Sequence, residues 1–258
     1  MISCAWCSRL FSCSRSGLLV QAQALNCRRL RSSSMAAKIL KISEEPIDRI
    51  VREGAAVLNS GGVVALPTDT IYGIAASVNS VQGIERLYKI KGRNKGKPIA
   101  ICVGDLDDVD KWANVTVGRE VLEQLLPGQV TLVFERRSSL PPALNPDTSL
   151  VGVRIPDHDF IRQLVRECGY PIALTSANIS DTRSTLAVEE FKELWPNLDL
   201  VVDGGRIVED ERVSSRSGST VVHLATQGAF KIVRNGSSYD HVVKILRDKC
   251  GLTETGSS

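Results

Sequence analysis

Apolar positions along this chain recur in two rhythms. Between Ile47 and Leu58, the residues Ile47, Ile50, Val51, Val57 and Leu58 return at helical spacing. That predicts a helix capped by Ser43, running to about Ser60 and stopped by Gly61-Gly62. Short apolar runs bounded by turn residues then read as buried strands: Val63–Pro67, Pro98–Val103, Val130–Phe134, Leu150–Ile155, Pro171–Leu174, Leu200–Val202, Ser219–Leu224 and Phe230–Val233. Further helices are expected where Ile84, Leu87 and Tyr88 share a face, around Leu106–Ala113 and Gly118–Leu126, and over Phe160–Cys168, Val188–Leu194 and Tyr239–Lys249. Pro127-Gly128 forces a turn, Leu140–Asp147 reads as an exposed Pro-rich loop, and residues 251–258 read as a flexible tail. Strands separated partly by helices and partly by turns predict an α/β fold built on a mixed sheet.

The polar residues at the strand ends change the picture from fold to site. Val63–Leu66 breaks at Pro67 into Thr68-Asp69-Thr70-Ile71-Tyr72-Gly73, and Pro171–Leu174 delivers Thr175-Ser176-Ala177-Asn178 in the same way. Strand ends are where open α/β sheets place ligands. Lys91, Arg93, Lys95 and Lys97 alternate with small or polar residues, and in an extended loop that alternation aims all four cations one way. A solvated charged face is the competing reading. A P-loop is excluded: Gly92 and Gly96 enclose three residues where that motif needs four, and Lys97 is followed by Pro98.

Charge and cysteine usage narrow the options. The chain has 258 residues, enough for one substantial core, and no linker divides its middle. No run of eighteen apolar residues is present, so a transmembrane helix has no support. Residues 1–34 hold Arg9, Arg15, Arg28, Arg29 and Arg31 and no acid; taking these five from the 32 basic residues leaves 27 against 29 acids. A near-neutral body argues against a broad footprint for long nucleic acid. The Arg- and Ser-rich leader has the composition of a mitochondrial presequence. Initiation at Met35 would omit it, so forms in both mitochondrion and cytoplasm are expected. Cys102, Cys168 and Cys250 are scattered through the body and only three histidines exist, which fits neither a disulfide framework nor a metal centre.

No nucleophile elbow, Cys/His pair or zinc-protease motif occurs. What recurs is a set of hydroxyls, an amide and cations: Thr68, Thr70, Ser176, Asn178, Ser219 and Thr220 with Lys91, Arg93, Lys97, Arg154 and Arg234. Hydroxyls orient small polar ligands, and guanidinium groups clamp carboxylate or phosphate oxygens. Singly, such residues often cap turns or form surface ion pairs; their convergence on several strand ends carries the functional reading. Residue types and spacing reach a site for a small anionic metabolite, a nucleotide among the candidates, and stop there.

Six motifs in order go further: Pro67–Gly73, Lys91-Gly92-Arg93 with Lys97-Pro98, Val153-Arg154-Ile155-Pro156, Thr175–Asn178, Gly218-Ser219-Thr220-Val221 and Arg234-Asn235-Gly236. In this order the chain resembles the YrdC-type threonylcarbamoyl-AMP synthases, with a YrdC-like catalytic domain over residues 42–248. The resemblance implies a twisted mixed sheet with flanking helices and a concave, positively lined face. It implies a nucleotidyltransferase that joins L-threonine, bicarbonate and ATP into threonylcarbamoyl-AMP, for modification of tRNAs reading codons that begin with A. By position, Thr70, Arg154 and Ser219 would hold threonine. Arg93, Lys97, Ser176, Asn178, Ser184 and Arg234 would hold ATP, with Lys91 and Arg93 catalytic and Lys91 near the phosphates or bicarbonate. Magnesium would arrive with the nucleotide, and a tRNA threonylcarbamoyl transferase complex would take the product. The Lys91–Lys97 loop would be the lid.

Three other classes compete. An RNA-binding module would use the positive groove directly and show steep salt dependence. A carbamoyl transferase of the hydrogenase-maturation kind carries additional motifs absent here. An inactive interaction protein would not need Lys91, Arg93, Ser176 and Asn178 intact.

Overall fold

The computed structural model describes residues 37–92, 97–180, 182–207 and 216–256. The leader, Arg93 and Lys95 lie outside these residues. In chain order the elements are β1 (Lys38–Lys41), α1 (Ile47–Asn59), β2 (Val64–Leu66), β3 (Gly73–Ser77), α2 (Val81–Ile90) and β4 (Ala100–Cys102). A 3-10 turn (Leu106–Asp108) precedes α3 (Val109–Trp112), β5 (Ala113–Asn114), α4 (Arg119–Leu125), β6 (Val130–Arg136), β7 (Leu150–Arg154), α5 (Asp159–Cys168) and β8 (Ile172–Ser176). A kinked 3-10 stretch (Val188–Asn197) then leads to β9 (Leu200–Asp203), β10 (Thr220–His223), β11 (Ala229–Arg234), α6 (Tyr239–Lys244) and β12 (Thr253–Glu254).

The strands form one mixed sheet in the order β1-β9-β2-β3-β8-β4-β7-β6-β10-β11-β12, with β5 beside β6. Antiparallel pairing of β2 with β3 and of β3 with β8 is followed by parallel pairing of β4 with β7 and of β6 with β10. The period of two along each strand sends alternate residues to opposite faces. Val151, Val153, Leu132, Phe134 and Val222 go to one face, into the larger core with Ile84 and Leu87 of α2. On the other face α1 and α5 supply Ile50, Leu58, Phe160, Ile161 and Leu164 to a second cluster with Val64, Leu66, Ala75, Leu174 and Val202. Each such fully buried aliphatic or aromatic side chain contributes roughly 1.5–3 kcal/mol. Leu174 belongs to that second cluster and also lines a cavity, so the two helices and the cavity share a face of the sheet.

Several expectations need correcting. Ser43 does not cap α1; the helix begins after Pro46, whose fixed φ and missing N–H suit a helix start. β1, β3, β5 and β12 were not expected. β12 pairs in parallel with Ala229 and Phe230, and Thr255 N donates to Phe230 O at 2.8 Å, so residues 251–256 are held by the sheet instead of fraying. The 140–147 loop is not simply exposed: Leu140, Leu144 and Asn145 are buried. Its carbonyls are gathered by one guanidinium, as Arg136 donates to Leu140 O at 2.9 Å, Pro141 O at 2.8 Å and Leu144 O. Satisfying those acceptors lets the loop's leucines turn inward.

Candidate functional site

The cavity measures about 720 Å³, within the range of small-molecule sites. Its floor is the part of the sheet that α1 and α5 leave uncovered. Strand parity places Leu150, Gly152 and Arg154 of β7, Thr131 and Val133 of β6, and Val221 and His223 of β10 on this floor. Val133 is in register with both Gly152 and His223, forming a low row across three strands. A side chain at Gly152 would fill this depression, since its Cβ would lie 2.8 Å from Thr131 Cγ2 and 3.4 Å from Ala100 Cβ. Lys97, Ser176, Ser184, Ser219 and Arg234 stand around it.

One wall is built by the β2–β3 connection. Thr68 Oγ1 donates to Ile71 O at 2.8 Å and accepts from Thr70 N at 3.1 Å, a closed turn that needs no solvent. Arg154 Nη2 donates to Thr70 Oγ1 at 2.7 Å and to Asp69 Oδ1. Asp69 Oδ2 also accepts from Asp157 N at 2.9 Å, and Asp69 O accepts from Gln129 Nε2 at 2.8 Å. The side chains of Arg154 and Asp69 are 8% and 5% exposed, so this is a buried ion pair. Arg154 Nε is buried with no hydrogen-bond partner, an unmet donor on a residue that lines the cavity. Cys102, in register with Arg154, is fully buried, and burial pushes its thiol up to about 12, so it stays protonated at neutral pH.

Across the floor, Thr131 Oγ1 and Ser219 Oγ are 2.7 Å apart, and Arg234 Nη2 donates to Ser219 O at 2.6 Å. Gly218 leaves room for that guanidinium: a Cβ there would lie 3.0 Å from Arg234 Nη2. Ser184 O accepts from Arg216 Nη1 at 2.6 Å, and Arg216 is also paired with Glu190, whose Oε2 accepts from Leu186 N at 3.1 Å. The Arg216 guanidinium holds the Glu190 carboxyl down to about 2, against a penalty from burial. This clasp ties the Ser184 loop to the segment carrying Gly218 and Ser219.

Lys91 is placed differently from expectation. It sits at the C-cap of α2 in helical geometry, not in an extended loop, so the alternation argument for four cations aimed alike does not describe it. Lys91 is 1% exposed, and its ammonium donates to Ser176 O at 2.7 Å, Ser176 Oγ at 3.1 Å, Asn178 Oδ1 at 2.9 Å and Asn178 O. Asn178 Nδ2 continues to Thr182 O at 2.6 Å. Lys91 and Asn178 thus pin the exit of β8 from behind, while Ser176 faces the cavity.

Of the residues singled out in sequence, Arg154, Ser219, Lys97, Ser176, Ser184 and Arg234 line one cavity, and Thr70 touches it through Arg154. Arg93 falls outside the described residues. Thr220 points to the core side, where Ser238 Oγ lies 3.3 Å from its hydroxyl. Sequence reasoning missed Thr131, Asp69 and Gly152. A lone threonine in the otherwise apolar Val130–Phe134 run was the available signal for Thr131.

This geometry defines an α/β protein with a cavity of small-molecule size, lined by hydroxyls and cations, on one face of a mixed sheet. A family model described as "Telomere recombination", for Sua5, YciO and YrdC, matches residues 56–236. Threonylcarbamoyl-AMP synthase of Mus musculus is 48% identical over 208 residues, covering 81% of this chain and 74% of that one. The Homo sapiens protein of the same name is 46% identical over 208 residues, covering 81% and 75%. The crystal structure of P. abyssi Sua5 complexed with L-threonine superposes with a TM-score of 0.70 at 24% identity, covering 85% of this chain and 62% of that one, which establishes the shared fold. The chain belongs to the Sua5/YciO/YrdC family.

Proposed function

We propose that this protein is a threonylcarbamoyl-AMP synthase, acting as a nucleotidyltransferase on L-threonine, bicarbonate and ATP. The observation that carries the reading is the 48% identity to the mouse synthase over 208 residues. The cavity supplies the physical support. Threonine's carboxylate is assigned to the guanidinium of Arg154, which lines the cavity, with Thr70 holding that guanidinium and Ser219 across the floor. ATP is assigned to Lys97, Ser176, Ser184 and Arg234 of the cavity, to Asn178 behind it, and to Arg93.

The threonine amine first takes up carbon dioxide from bicarbonate, releasing water and leaving a carbamate. A carbamate oxygen then attacks the α-phosphorus, and the bond to the β,γ-diphosphate breaks to release pyrophosphate. Carbamates are weak, short-lived nucleophiles, so holding the reactants in line and excluding water are the main contributions of the protein. Cationic groups around the phosphates stabilise the charge of the departing pyrophosphate. Among the described residues no group of three or more His, Cys, Asp or Glu side chains could hold a metal ion. Magnesium is assigned to the nucleotide's own phosphates as part of the substrate.

We assign Lys91 an organising role, presenting Ser176 and Asn178, in addition to the catalytic part expected of it. Transfer of the product to a tRNA threonylcarbamoyl transferase complex, with or without direct tRNA contact, completes the proposed role. Import of a leader-bearing form into mitochondria beside a cytoplasmic form starting at Met35 is part of the same proposal. Fluorescent fusions to residues 1–34 that stay diffuse would remove the import.

Purified protein incubated with ATP and labelled bicarbonate is expected to release pyrophosphate only when L-threonine is added. Release indifferent to threonine, or none at all, would remove the synthase reading.

A further inference from the structure

The carboxylate of Asp69 has no place in the chemistry above, yet it is buried, both of its oxygens accept hydrogen bonds, and one of them is bonded to the cavity's Arg154. Its Oδ1 accepts from Arg154 Nη2, its Oδ2 accepts from Asp157 N at 2.9 Å, and its own carbonyl is held by Gln129 at 2.8 Å. With Thr70 Oγ1 as the second acceptor, 2.7 Å from Nη2, that nitrogen is fully used. The donors left over are Nε, buried without an acceptor, and the two N–H groups of Nη1. The guanidinium is thereby fixed in orientation, and its positive charge is matched by a negative one in a setting that is nearly dry.

We propose that Asp69 is the residue that sets which class of anion the Arg154 subsite accepts. It positions the guanidinium for a singly charged carboxylate and, as a buried counter-charge, turns away phosphate and pyrophosphate. The inference rests on the assignment of threonine to Arg154. An incoming monocarboxylate meets Arg154 and Asp69 as a balanced pair and adds one negative charge. A phosphate dianion adds two, which doubles its attraction to Arg154 and its repulsion from Asp69 alike, so the buried carboxylate cancels much of the advantage that the second charge would otherwise gain at the guanidinium. His158, close to Asp69, gives no relief, because burial pushes its imidazole towards the neutral form. The consequence is useful in a site that must hold triphosphate and amino acid together. Phosphate oxygens are kept from the carboxylate's seat, and the nucleotide can bind in only one direction.

The test measures L-threonine binding by calorimetry to the full chain, with inorganic phosphate in large excess or replaced by chloride at equal ionic strength. The unaltered protein is expected to hold threonine with an affinity changed less than about twofold by phosphate. Asp69→Asn keeps the shape and one acceptor but removes the charge, and phosphate is then expected to weaken threonine binding by about tenfold or more. Asp69→Glu restores the charge at a displaced position, so it is expected to regain resistance to phosphate while binding threonine more weakly than the unaltered protein. A purely structural role would lower affinity in both variants without altering phosphate sensitivity.

Should Asp69→Asn fail to fold, the unaltered protein and Asp69→Glu still decide the matter. Displacement of threonine by phosphate in both would overturn the inference, and so would an Asp69→Asn protein as resistant as the unaltered one. Absence of threonine binding by the unaltered protein would instead overturn the assignment of Arg154, and this inference with it.

Discussion

The two halves of one sheet face teach different lessons. Under α1 and α5 the face is closed by Ile50, Leu58, Phe160 and Leu164 packing on Val64, Leu66 and Leu174. From β4 to β11 the same face has no such helix among the described residues and ends in Gly152, Thr131, Arg154, Ser219 and Arg234. The first half is stabilised by apolar area. The second keeps a buried ion pair and an unmet donor, features that cost stability when no ligand is present. One half therefore carries the fold, and the other presents the site on it.

Substitutions should separate the halves, with Arg154→Ala giving the largest effect. Threonine-dependent pyrophosphate release is expected to be lost, and leaving Asp69 buried without its partner should also cost about 3 kcal/mol in chemical denaturation. Next comes Leu164→Ala, fully buried between α1 and the sheet, expected to cost about 3 kcal/mol while activity per folded molecule is kept. Loss of activity there without loss of stability would break the division of labour. Lys91→Met is expected to cost about 2 kcal/mol, because it leaves the Ser176 and Asn178 acceptors short of donors. It should also weaken nucleotide binding; a stability change with nucleotide affinity untouched would remove its organising role.

The smallest expected effect concerns Glu190. Its folded value lies near 2, below the ordinary 4.5, so its contribution is present above about pH 4.5 and is lost as pH falls through 2. Partial exposure limits that contribution to about 1 kcal/mol. Glu190→Gln should therefore be less stable than the unaltered protein at pH 6 and converge with it near pH 2, as read from denaturation midpoints.

The closed half was the more legible in sequence, because apolar periodicity reports burial directly. Even there β3 escaped notice: Gly73-Ile74-Ala75-Ala76-Ser77 is buried throughout but built of small residues with no β-branched alternation. β1 was missed because only Leu40 of its four residues is buried, as suits an edge strand. In the site, hydroxyls and cations at strand ends could be read, since they interrupt apolar runs. The role of Asp69 and the burial of Lys91 could not, because each depends on partners some 85 positions away, as between Lys91 and Ser176. Arg216 and Glu190 meet across 26 positions and looked like ordinary surface charges.

The most direct measurement is a crystal structure of the protein with L-threonine and a non-hydrolysable ATP analogue. Both are expected in the same cavity, over β7, β6 and β10, with the threonine carboxylate on the Arg154 guanidinium and the α-phosphate within reach of the threonine nitrogen. Ligands bound on different faces, or a threonine carboxylate away from the Arg154 guanidinium, would contradict that assignment.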